Sequence, residues 1–294
     1  MVRLEVGHAS VGGAMEAKTR TKPLRHFTGA PKRMSSAEKA ADAFDEFAAD
    51  YDREFTNSLI GSRMRRAVWN RFPLHFAAGQ RILELNCGTG EDAVYLARQG
   101  VSVFATDVSR GMIDFAALKA RRHGLGDKIH FERLGWGDLD DLPLAEFDGA
   151  LSNFGGLNCV EHADSALAAL ARRLRPGAHV LLCVMGPWCP WEWIWYLLHG
   201  DPGRAFRRFR SPVEWRGIRV SYPSLPAMRR WLRPDFAILR VGAIGTLLPP
   251  SYAEAWALRH RKLVGFLDGC ERRLEALPPL PWFADHYLME LRRL

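Results

Sequence analysis

The chain has 294 residues, of which 48% are hydrophobic and 25% charged, a composition typical of a soluble globular protein. The formal net charge is +8, but residues 1–35 hold seven Lys/Arg against two acids, so the charge does not indicate a nucleic-acid-binding body. Five scattered cysteines without zinc-ligand spacing exclude a disulfide framework and predict reduced thiols, no metal site and a cytoplasmic protein.

Two segments bear on whether the chain contacts a membrane. Residues 1–35 are rich in Gly, Thr, Lys and Arg and lack a continuous apolar stretch, which predicts a disordered basic tail rather than a signal peptide or an anchor. The apolar run 179–198 is interrupted by Gly186-Pro187 and Pro190. It therefore predicts a buried strand followed by an aromatic helix, and no transmembrane segment.

After the tail, apolar residues at helical spacing predict helices over 37–51 and 58–76. Short apolar runs then alternate with helical patterns. The runs predict strands at 81–85, 101–106, 128–132, 147–152 and 179–185, with helices at 92–99, 110–122 and 164–174. Such alternation, joined by short glycine-containing connections, predicts an α/β fold: a doubly wound, Rossmann-like parallel sheet with helices on both faces.

The alternation breaks after residue 185. Residues 187–235 are dense in Trp and Arg, and two further predicted strands, 236–248 and 286–291, flank a helical stretch at 252–277. We expect residues 36–186 to form the core and 187–235 to form an α-rich insert that covers the active site. Residues 236–294 would complete the core sheet.

Polar and glycine residues follow three of the predicted strands. The segment ELNCGTG at 84–90 ends the first strand, and its glycines let a backbone approach a ligand closely. Asp107 ends the second strand, where a carboxylate can accept both hydroxyls of a ribose, and Asp138 precedes the fourth, where it can accept an adenine amino group. Because the carboxyl ends of parallel strands share one edge, these groups are predicted to converge on one crevice.

On these motifs, residues 40–186 resemble the class I S-adenosylmethionine-dependent methyltransferases, especially the ubiquinone/menaquinone-type group. The resemblance implies a seven-stranded, mainly parallel sheet with an antiparallel last strand, S-adenosylmethionine as the cofactor, and methyl transfer as the activity. Asn86 stands where the family has its first loop glycine, and asparagine tolerates positive φ better than most residues. The resemblance implies these cofactor-binding residues: Tyr51, Glu84, Asn86, Gly88, Gly90, Asp107, Val108, Met112, Asp138, Leu139 and Asn153.

Two other functions fit part of the pattern. Residues 88–93 satisfy the permissive Gly-x-Gly-x-x-Gly/Ala spacing of a nicotinamide dehydrogenase. Four features together favour a methyltransferase: Glu84, the 138–139 pair, the Leu-x-Pro-Gly ending at 174–177, and the pairs 44–45 (Phe-Asp) and 51–52 (Tyr-Asp), which look like the family's N-terminal lid. A non-catalytic module that binds S-adenosylmethionine is the second alternative. Its one supporting feature is Asn86.

The segment 153–162, after the fourth strand, is where the resemblance implies contact with the substrate. Asn158, Glu161 and His162 are the candidate catalytic residues, because a base is needed when the acceptor carries an acidic proton. Phe154 and Cys159 are candidates for substrate contact. The alternatives are a surface position for His162 at the start of a helix, which we favour, and a core position for Cys159.

The composition of the insert 187–235 indicates the chemical type of the acceptor. Trp188 and Trp191 offer apolar area, and Arg207 and Arg208, within a run of ten arginines at 204–240, could bind an anionic group or a lipid surface. We therefore expect a small, largely apolar metabolite that can carry an anionic group. A peripheral membrane contact is compatible with the same arginines. A solvated helix face is the commoner meaning of such a run of arginines, and we favour it slightly. A nucleic-acid acceptor ranks lower because little net charge lies outside the tail. The segment 285–287 (Asp-His-Tyr) is either a catalytic pair or ordinary strand residues.

Overall fold

Three helices precede the sheet in the computed structural model, which describes residues 36–144 and 146–294; the predicted tail lies outside these ranges. Helix α1 spans Ser36–Tyr51 and continues as a single π-helical turn, Asp52–Thr56, before α2 (Leu59–Trp69) and α3 (Phe72–His75). One helix was predicted over 58–76, but Pro73 has no N–H to donate to the carbonyl of residue 69, so the helix ends there.

Nine strands follow in the chain. They are β1 (Arg81–Leu85), β2 (Ser102–Asp107), β3 (Ile129–Arg133), β4 (Phe147–Ser152), β5 (Leu174–Met185), β6 (Val213–Trp215), β7 (Ile218–Val220), β8 (Phe236–Ile244) and β9 (His286–Arg293). Seven of them form one sheet in the order β3-β2-β1-β4-β5-β9-β8, and β6 pairs with β7 as a separate hairpin. In the sheet β9 runs antiparallel to both of its neighbours, while the other pairs are parallel. The predicted seven-stranded, mainly parallel sheet with an antiparallel last strand is confirmed.

Helices cover both faces of this sheet. The remaining helices of the described residues are α4 (Glu91–Arg98), α5 (Arg110–Arg122), α6 (Ala163–Arg173), α7 (Pro190–Leu198), α8 (Pro202–Ala205), α9 (Leu225–Leu232), α10 (Glu254–Arg259) and α11 (Arg261–Leu274). Successive strand residues point to opposite faces. Leu83 accordingly packs in one apolar core with residues of α6 and α9, whereas Ile82 packs in a second core with residues of α2, α4 and α11. Both side chains are fully buried, as a doubly wound sheet requires.

Several element ends differ from the predicted ones. The fifth strand begins at Leu174 instead of residue 179, since Leu174 already pairs with Phe147 across a register shift. The helical stretch at 252–277 is two helices that meet at His260. Within the described residues the longest helix has 16 residues, and none is both long and apolar enough to cross a bilayer.

The carboxyl ends of β1, β2 and β4 lie side by side. Leu85 pairs with Thr106 on one side and with Ser152 on the other, so the loops that follow these strands share one edge of the sheet. Above that edge, α1 packs on the β6–β7 hairpin, where Phe44 and Trp215 place their ring centroids 6.0 Å apart. The hairpin and α1 thus close over the loops at the end of the sheet.

Candidate active site

The loop after β1 leaves room for a ligand at Gly88. This residue has φ +53°, and a Cβ there would meet nothing nearer than the Tyr51 ring at 3.9 Å. At Gly90 (φ +75°), in contrast, a Cβ would lie 2.7 Å from the Cβ of Ala116, so this glycine permits close packing on α5. Asn86 has φ +56°, the conformation expected for the family's glycine, and its Oδ1 accepts a hydrogen bond from Trp136 Nε1 at 2.5 Å.

Asp107 joins the loops after β1 and β2. Its Oδ2 accepts a hydrogen bond from Gly88 N at 3.0 Å and its Oδ1 accepts one from Ser109 N at 2.9 Å. Burial raises the pKa of this carboxyl to about 6, even though the backbone hydrogen bonds act to lower it. Because each carboxylate oxygen has two lone pairs, Asp107 can still accept hydrogen bonds from a ligand.

Glu84 is a buried acid near the end of β1, 2% exposed. Within the described residues its Oε2 has no hydrogen-bond partner. Burial, together with the nearby charge of Asp92, raises the pKa of Glu84 well above the usual range. A buried carboxylate oxygen without a donor is costly, so a ligand that brings an N–H to this oxygen would stabilise the site.

A groove runs along the loops that end β1, β2 and β4. Its outer part, a cavity of about 490 Å³, is lined by Val108, Trp136, Gly137 and Asp138 among others, and its inner part, of about 90 Å³, lies at the glycine loop. We call the two parts together the cofactor groove. The residues lining the inner part are Phe44, Tyr51, Asn86, Gly88, Asp107, Met112, Asn153, Phe154, Gly155, Gly156 and Cys159.

The structure corrects one assignment in the groove. Leu139 was expected to contact the adenine, but it is fully buried in the core, because the 3-10 turn Trp136–Asp141 points it inward. Trp136 and Gly137 line the groove in its place. Asp138 does line it, and its Oδ2 accepts a hydrogen bond from Gly135 N at 2.9 Å.

A second cavity, of about 770 Å³, opens beside the groove. We call it the aromatic cavity. The apolar and aromatic residues that line it are Phe44, Phe47, Tyr51, Phe55, Phe154, Met185, Val213, Trp215, Val220, Tyr222, Pro250 and Tyr252. It shares Phe44, Tyr51, Phe154, Gly155 and Cys159 with the inner part of the cofactor groove. The two spaces therefore meet at these five residues.

Phe154 is held at this junction by a buried polar network. Its backbone has φ +48°, and its N–H donates to Asn153 Oδ1 at 3.0 Å. The amide of Asn153 donates in turn to Asp92 Oδ2 at 2.9 Å, and the same oxygen accepts a hydrogen bond from Arg65 at 2.7 Å. The Arg65 guanidinium lies 5.0 Å from the centre of the Phe154 ring. The positive φ of Phe154 is thus stabilised by the hydrogen bond to Asn153 and by the contact of its ring with Arg65.

The predicted anion-binding arginines already have protein partners. Arg208 is 4% exposed and donates to Glu192 Oε2 at 2.7 Å, to Asp285 Oδ1 at 2.5 Å and to the carbonyls of Gly186 and Asp285. Arg207 donates to Glu192 Oε1 at 2.6 Å. Both line the aromatic cavity, but their charges are matched by buried carboxylates, which corrects their assignment as free partners for an anionic acceptor.

The same carboxylates belong to a cluster of potential metal ligands. Ligand atoms of Cys189, Glu192 and Asp285 lie within 4.8 Å of one another. The positive charge at this position comes from the Arg208 guanidinium, which contacts both acids. This arrangement satisfies the acids without a metal ion.

The predicted tryptophans lie outside the aromatic cavity. Trp188 is 45% exposed and packs edge-on against Trp193, Phe209 and Phe283. Trp191 packs against Trp256 of α10. Neither lines the cavity, because these rings pack the insert on its neighbours. The aromatic area is supplied by Trp215, Tyr222 and Tyr252 among others.

The three predicted catalytic residues also take other positions. Asn158 is fully buried, and its amide donates to the carbonyls of Met185 (2.9 Å) and Ser221 (2.6 Å) while Oδ1 accepts from Met185 N (2.9 Å). Asn158 therefore joins the end of β5 to the segment after the hairpin. Glu161 and His162 are exposed and line the outer part of the cofactor groove, away from the aromatic cavity.

Two residues that the sequence left undecided do line the aromatic cavity. Asp285 and His286 stand at the start of β9, and His286 is 6% exposed. Cys159, the other candidate from the sequence, lies at the junction, but burial raises the pKa of its thiol to about 12. For Asp285 and His286, the sequence signal was an acid next to a histidine at the start of a predicted strand. Its position in the cavity depends on tertiary packing.

Comparisons with known proteins agree with this architecture. A family described as a methyltransferase domain matches residues 82–177. Demethylmenaquinone methyltransferase from Streptomyces avermitilis is 32% identical over 208 residues, which cover 66% of this chain and 84% of the relative. The enzyme of the same name from Clavibacter sepedonicus is 34% identical over 142 residues, covering 48% of this chain and 55% of the relative.

This chain spans only about half of the length of the Clavibacter sepedonicus relative. Among solved structures, the [4+2]-cyclase SpnF is similar with a TM-score of 0.59 and 19% identity, over 88% of this chain and 97% of the cyclase. That likeness shows the fold alone. On the fold and the Streptomyces match, the chain belongs to the class I S-adenosylmethionine-dependent methyltransferases, in the ubiquinone/menaquinone-type group.

Proposed function

We propose that the protein transfers the methyl group of S-adenosylmethionine to a small, largely apolar acceptor held in the aromatic cavity. The observation that carries this proposal is the junction of the cofactor groove with that cavity at Tyr51, Phe154 and Cys159. When bound, S-adenosylmethionine supplies an electrophilic methyl group. The protein's main task is then orientation, because in-line transfer needs the two reacting atoms at near-attack distance.

The residues of the groove fit this cofactor. We assign the ribose hydroxyls to Asp107 and the adenine to the outer part of the groove beside Val108 and Asp138. Gly88 would allow close approach of the methionine part, and its amino group would satisfy the unpartnered Oε2 of Glu84. The ribose hydroxyls, the adenine amino group and the methionine amino group are donors, and Asp107, Asp138 and Glu84 provide the acceptors.

The cavity also indicates the kind of acceptor. Its walls are mainly aromatic and aliphatic, and its volume of about 770 Å³ is in the range of small-molecule sites. Arg207 and Arg208 are matched by Glu192 and Asp285, which favours a neutral acceptor over an anionic one. Relatives named demethylmenaquinone methyltransferase support an aromatic acceptor of the quinol type. In this proposal the insert 187–235 supplies part of the cavity wall, through Trp215 and Tyr222 among others.

Incubation with methyl-labelled S-adenosylmethionine and a metabolite extract tests the function. We expect label in a small apolar product, and none when the extract is omitted. Binding of S-adenosylhomocysteine without any labelled product would support the non-catalytic module instead. Label in nucleic acid, with binding that weakens steeply as salt rises, would support the nucleic-acid methyltransferase.

An apolar surface next to the cavity supports a peripheral membrane contact, from which an apolar acceptor could enter. On α7 the side chains of Ile194, Leu197 and Leu198 are 50%, 49% and 80% exposed, and exposed Arg204 follows on α8. Exposed apolar residues bordered by basic ones are typical of interfacial helices. For the location in the cell, the five free cysteines favour the cytoplasm.

We expect the Leu197→Ser/Leu198→Ser double variant to lose co-sedimentation with vesicles of phosphatidylglycerol and phosphatidylcholine, because it removes apolar area that would enter the interface. Leu74→Ser is the matched control, since Leu74 is 61% exposed on α3. Equal sedimentation of the wild type and the double variant would contradict the membrane contact and leave the methyltransferase proposal intact.

A further inference from the structure

His286 lies in the wall of the aromatic cavity, close to the junction with the cofactor groove. Its ring packs edge-on against the ring of Phe154, with the centroids 5.5 Å apart, and Phe154 lines both spaces. Its Nδ1 lies 3.2 Å from Asp285 Oδ2. Within the described residues Nδ1 has no other partner and no hydrogen bond reaches Nε2. Because His286 lines the cavity, Nε2 is available to a molecule there.

Asp285 is held as a carboxylate beside this ring. Burial alone would raise the pKa of Asp285, but the neighbouring His286 and Arg208 outweigh it and lower the pKa below its usual range. Arg208 is itself held by Glu192 on its other side. The charged groups around His286 are therefore Asp285 directly, and Arg208 and Glu192 behind it.

We propose that His286 is the general base of the reaction and that Asp285 orients its ring. A base is needed for acceptors that must lose a proton, so the substrate class is phenols, enols or hydroquinones. The inference rests on the proposed methyl transfer and narrows its substrate class. A base of this kind matters because a neutral hydroxyl, like the carbon conjugated with it, is a poor nucleophile until the hydroxyl proton leaves.

The acceptor O–H gives its proton to Nε2 of His286, and an electron pair of the resulting phenolate or enolate, on its oxygen or on the conjugated carbon, forms the bond to the methyl carbon. The bond between the methyl carbon and sulfur breaks, and its electron pair stays on sulfur, which becomes neutral. Where carbon is methylated, that carbon then loses its own hydrogen as a proton to water and the oxygen regains one. His286 becomes an imidazolium paired with Asp285 and later returns its proton to water.

The other titratable groups of the cavity are less suited to this role. Burial raises the pKa of the Tyr222 and Tyr252 hydroxyls, so neither gives a useful base near neutral pH. The carboxylate of Glu254 accepts hydrogen bonds from the backbone N–H groups that begin α2. Glu214 is exposed on the hairpin.

The test compares the wild type with His286→Gln and Asp285→Asn, using labelled S-adenosylmethionine with 2-naphthol and 1,4-naphthohydroquinone as acceptors, and the metabolite extract alongside. We expect kcat/KM to fall by about 10²–10⁴-fold in His286→Gln, the usual contribution of a general base. The affinity for S-adenosylhomocysteine should stay unchanged. His130→Gln, exposed on β3, is the control and should keep full activity.

Two further measurements separate a base from a structural residue. The wild-type rate should depend on pH, and the part of this dependence that comes from the base should vanish in His286→Gln. Added imidazole should restore part of the activity of His286→Gly, which a packing role would not allow. In wild-type protein saturated with S-adenosylhomocysteine, 4-nitro-1-naphthol should bind with the absorption of its anion, at a pH where the free dye is neutral.

The outcomes distinguish the two proposals. If the wild type labels no acceptor, methyl transfer fails and this inference falls with it. If the wild type is active but His286→Gln keeps its activity and its pH profile, the base is wrong and methyl transfer stands. Binding of the dye only in its neutral form would also overturn the base.

Discussion

In the Asp107→Ala variant, the affinity for S-adenosylhomocysteine is expected to fall by a hundredfold or more. A hydrogen bond to a charged group contributes about 1.5–3 kcal/mol, and this carboxylate can accept two ribose hydroxyls, so the loss is about 3 kcal/mol or greater. Its removal also frees Gly88 N and Ser109 N, which it now holds. Isothermal titration calorimetry measures the change.

Two matched variants sharpen this experiment. Asp107→Asn keeps one acceptor oxygen and should lose less affinity than the alanine variant. Asp114→Ala removes an acid from an exposed position of α5, where it pairs with Arg110, and should leave the affinity unchanged. Equal affinities of Asp107→Ala and the wild type would mean that the ribose lies elsewhere.

The same residue predicts a pH dependence. Because the pKa of Asp107 is raised to about 6, the carboxylate becomes protonated as the pH falls through 6 and can then accept fewer hydrogen bonds. Affinity for S-adenosylhomocysteine should therefore fall between about pH 7 and pH 5, and Asp107→Asn should lack this dependence. The stability of the fold should change with pH in the opposite direction. Because the pKa of Asp107 in the folded protein exceeds the ordinary value of about 4, its buried charge lowers the free energy of unfolding above pH 6. This loss of stability disappears as the pH falls toward 4.

Replacement of Arg208 by alanine should have the largest effect on stability. The change leaves half-buried Asp285 without its guanidinium partner and leaves buried Glu192 with Arg207 alone. Removing one partner of a buried ion pair typically costs about 3–5 kcal/mol. Urea unfolding should show this loss as a lower midpoint.

Arg207→Ala is the control for that variant. Its side chain is 30% exposed, and Glu192 keeps its contact with Arg208 when Arg207 is removed. We expect a loss of about 1 kcal/mol or less, in the range of partly exposed pairs. The double variant Arg208→Met/Glu192→Gln should recover part of the stability, since it removes one of the unpaired charges. If Arg207→Ala and Arg208→Ala were equally stable, the buried cluster would not hold the insert in place.

Most of the cofactor groove could be predicted from local sequence patterns. The glycine loop at 84–90 is one strand, one turn and one helix start, so its shape depends on residues adjacent in the chain. Asn86 adopts the expected positive φ for the same reason. Asp107 ends the neighbouring strand, and parallel pairing alone brings it to Gly88. Leu139 was assigned wrongly because a 3-10 turn, which the pattern does not specify, decides which side chain faces out.

The aromatic cavity depends on contacts between distant parts of the chain. Trp188 and Trp191 carry the same apolar area as Trp215, and only packing determines which ring faces the cavity. The charged partners in its wall are also far apart in the sequence, since Arg208 and Asp285 are separated by 77 residues.

The sequence by itself determined the α/β sheet, the glycine loop and Asp107, because hydrophobic periodicity and strand ends are local properties. Tertiary structure alone decided that Asn158 joins β5 to the segment after the hairpin, that Arg208 is neutralised by Glu192 and Asp285, and that His286 lines the aromatic cavity. The reason is physical: the burial and the partner of a polar side chain depend on what the rest of the fold packs against it.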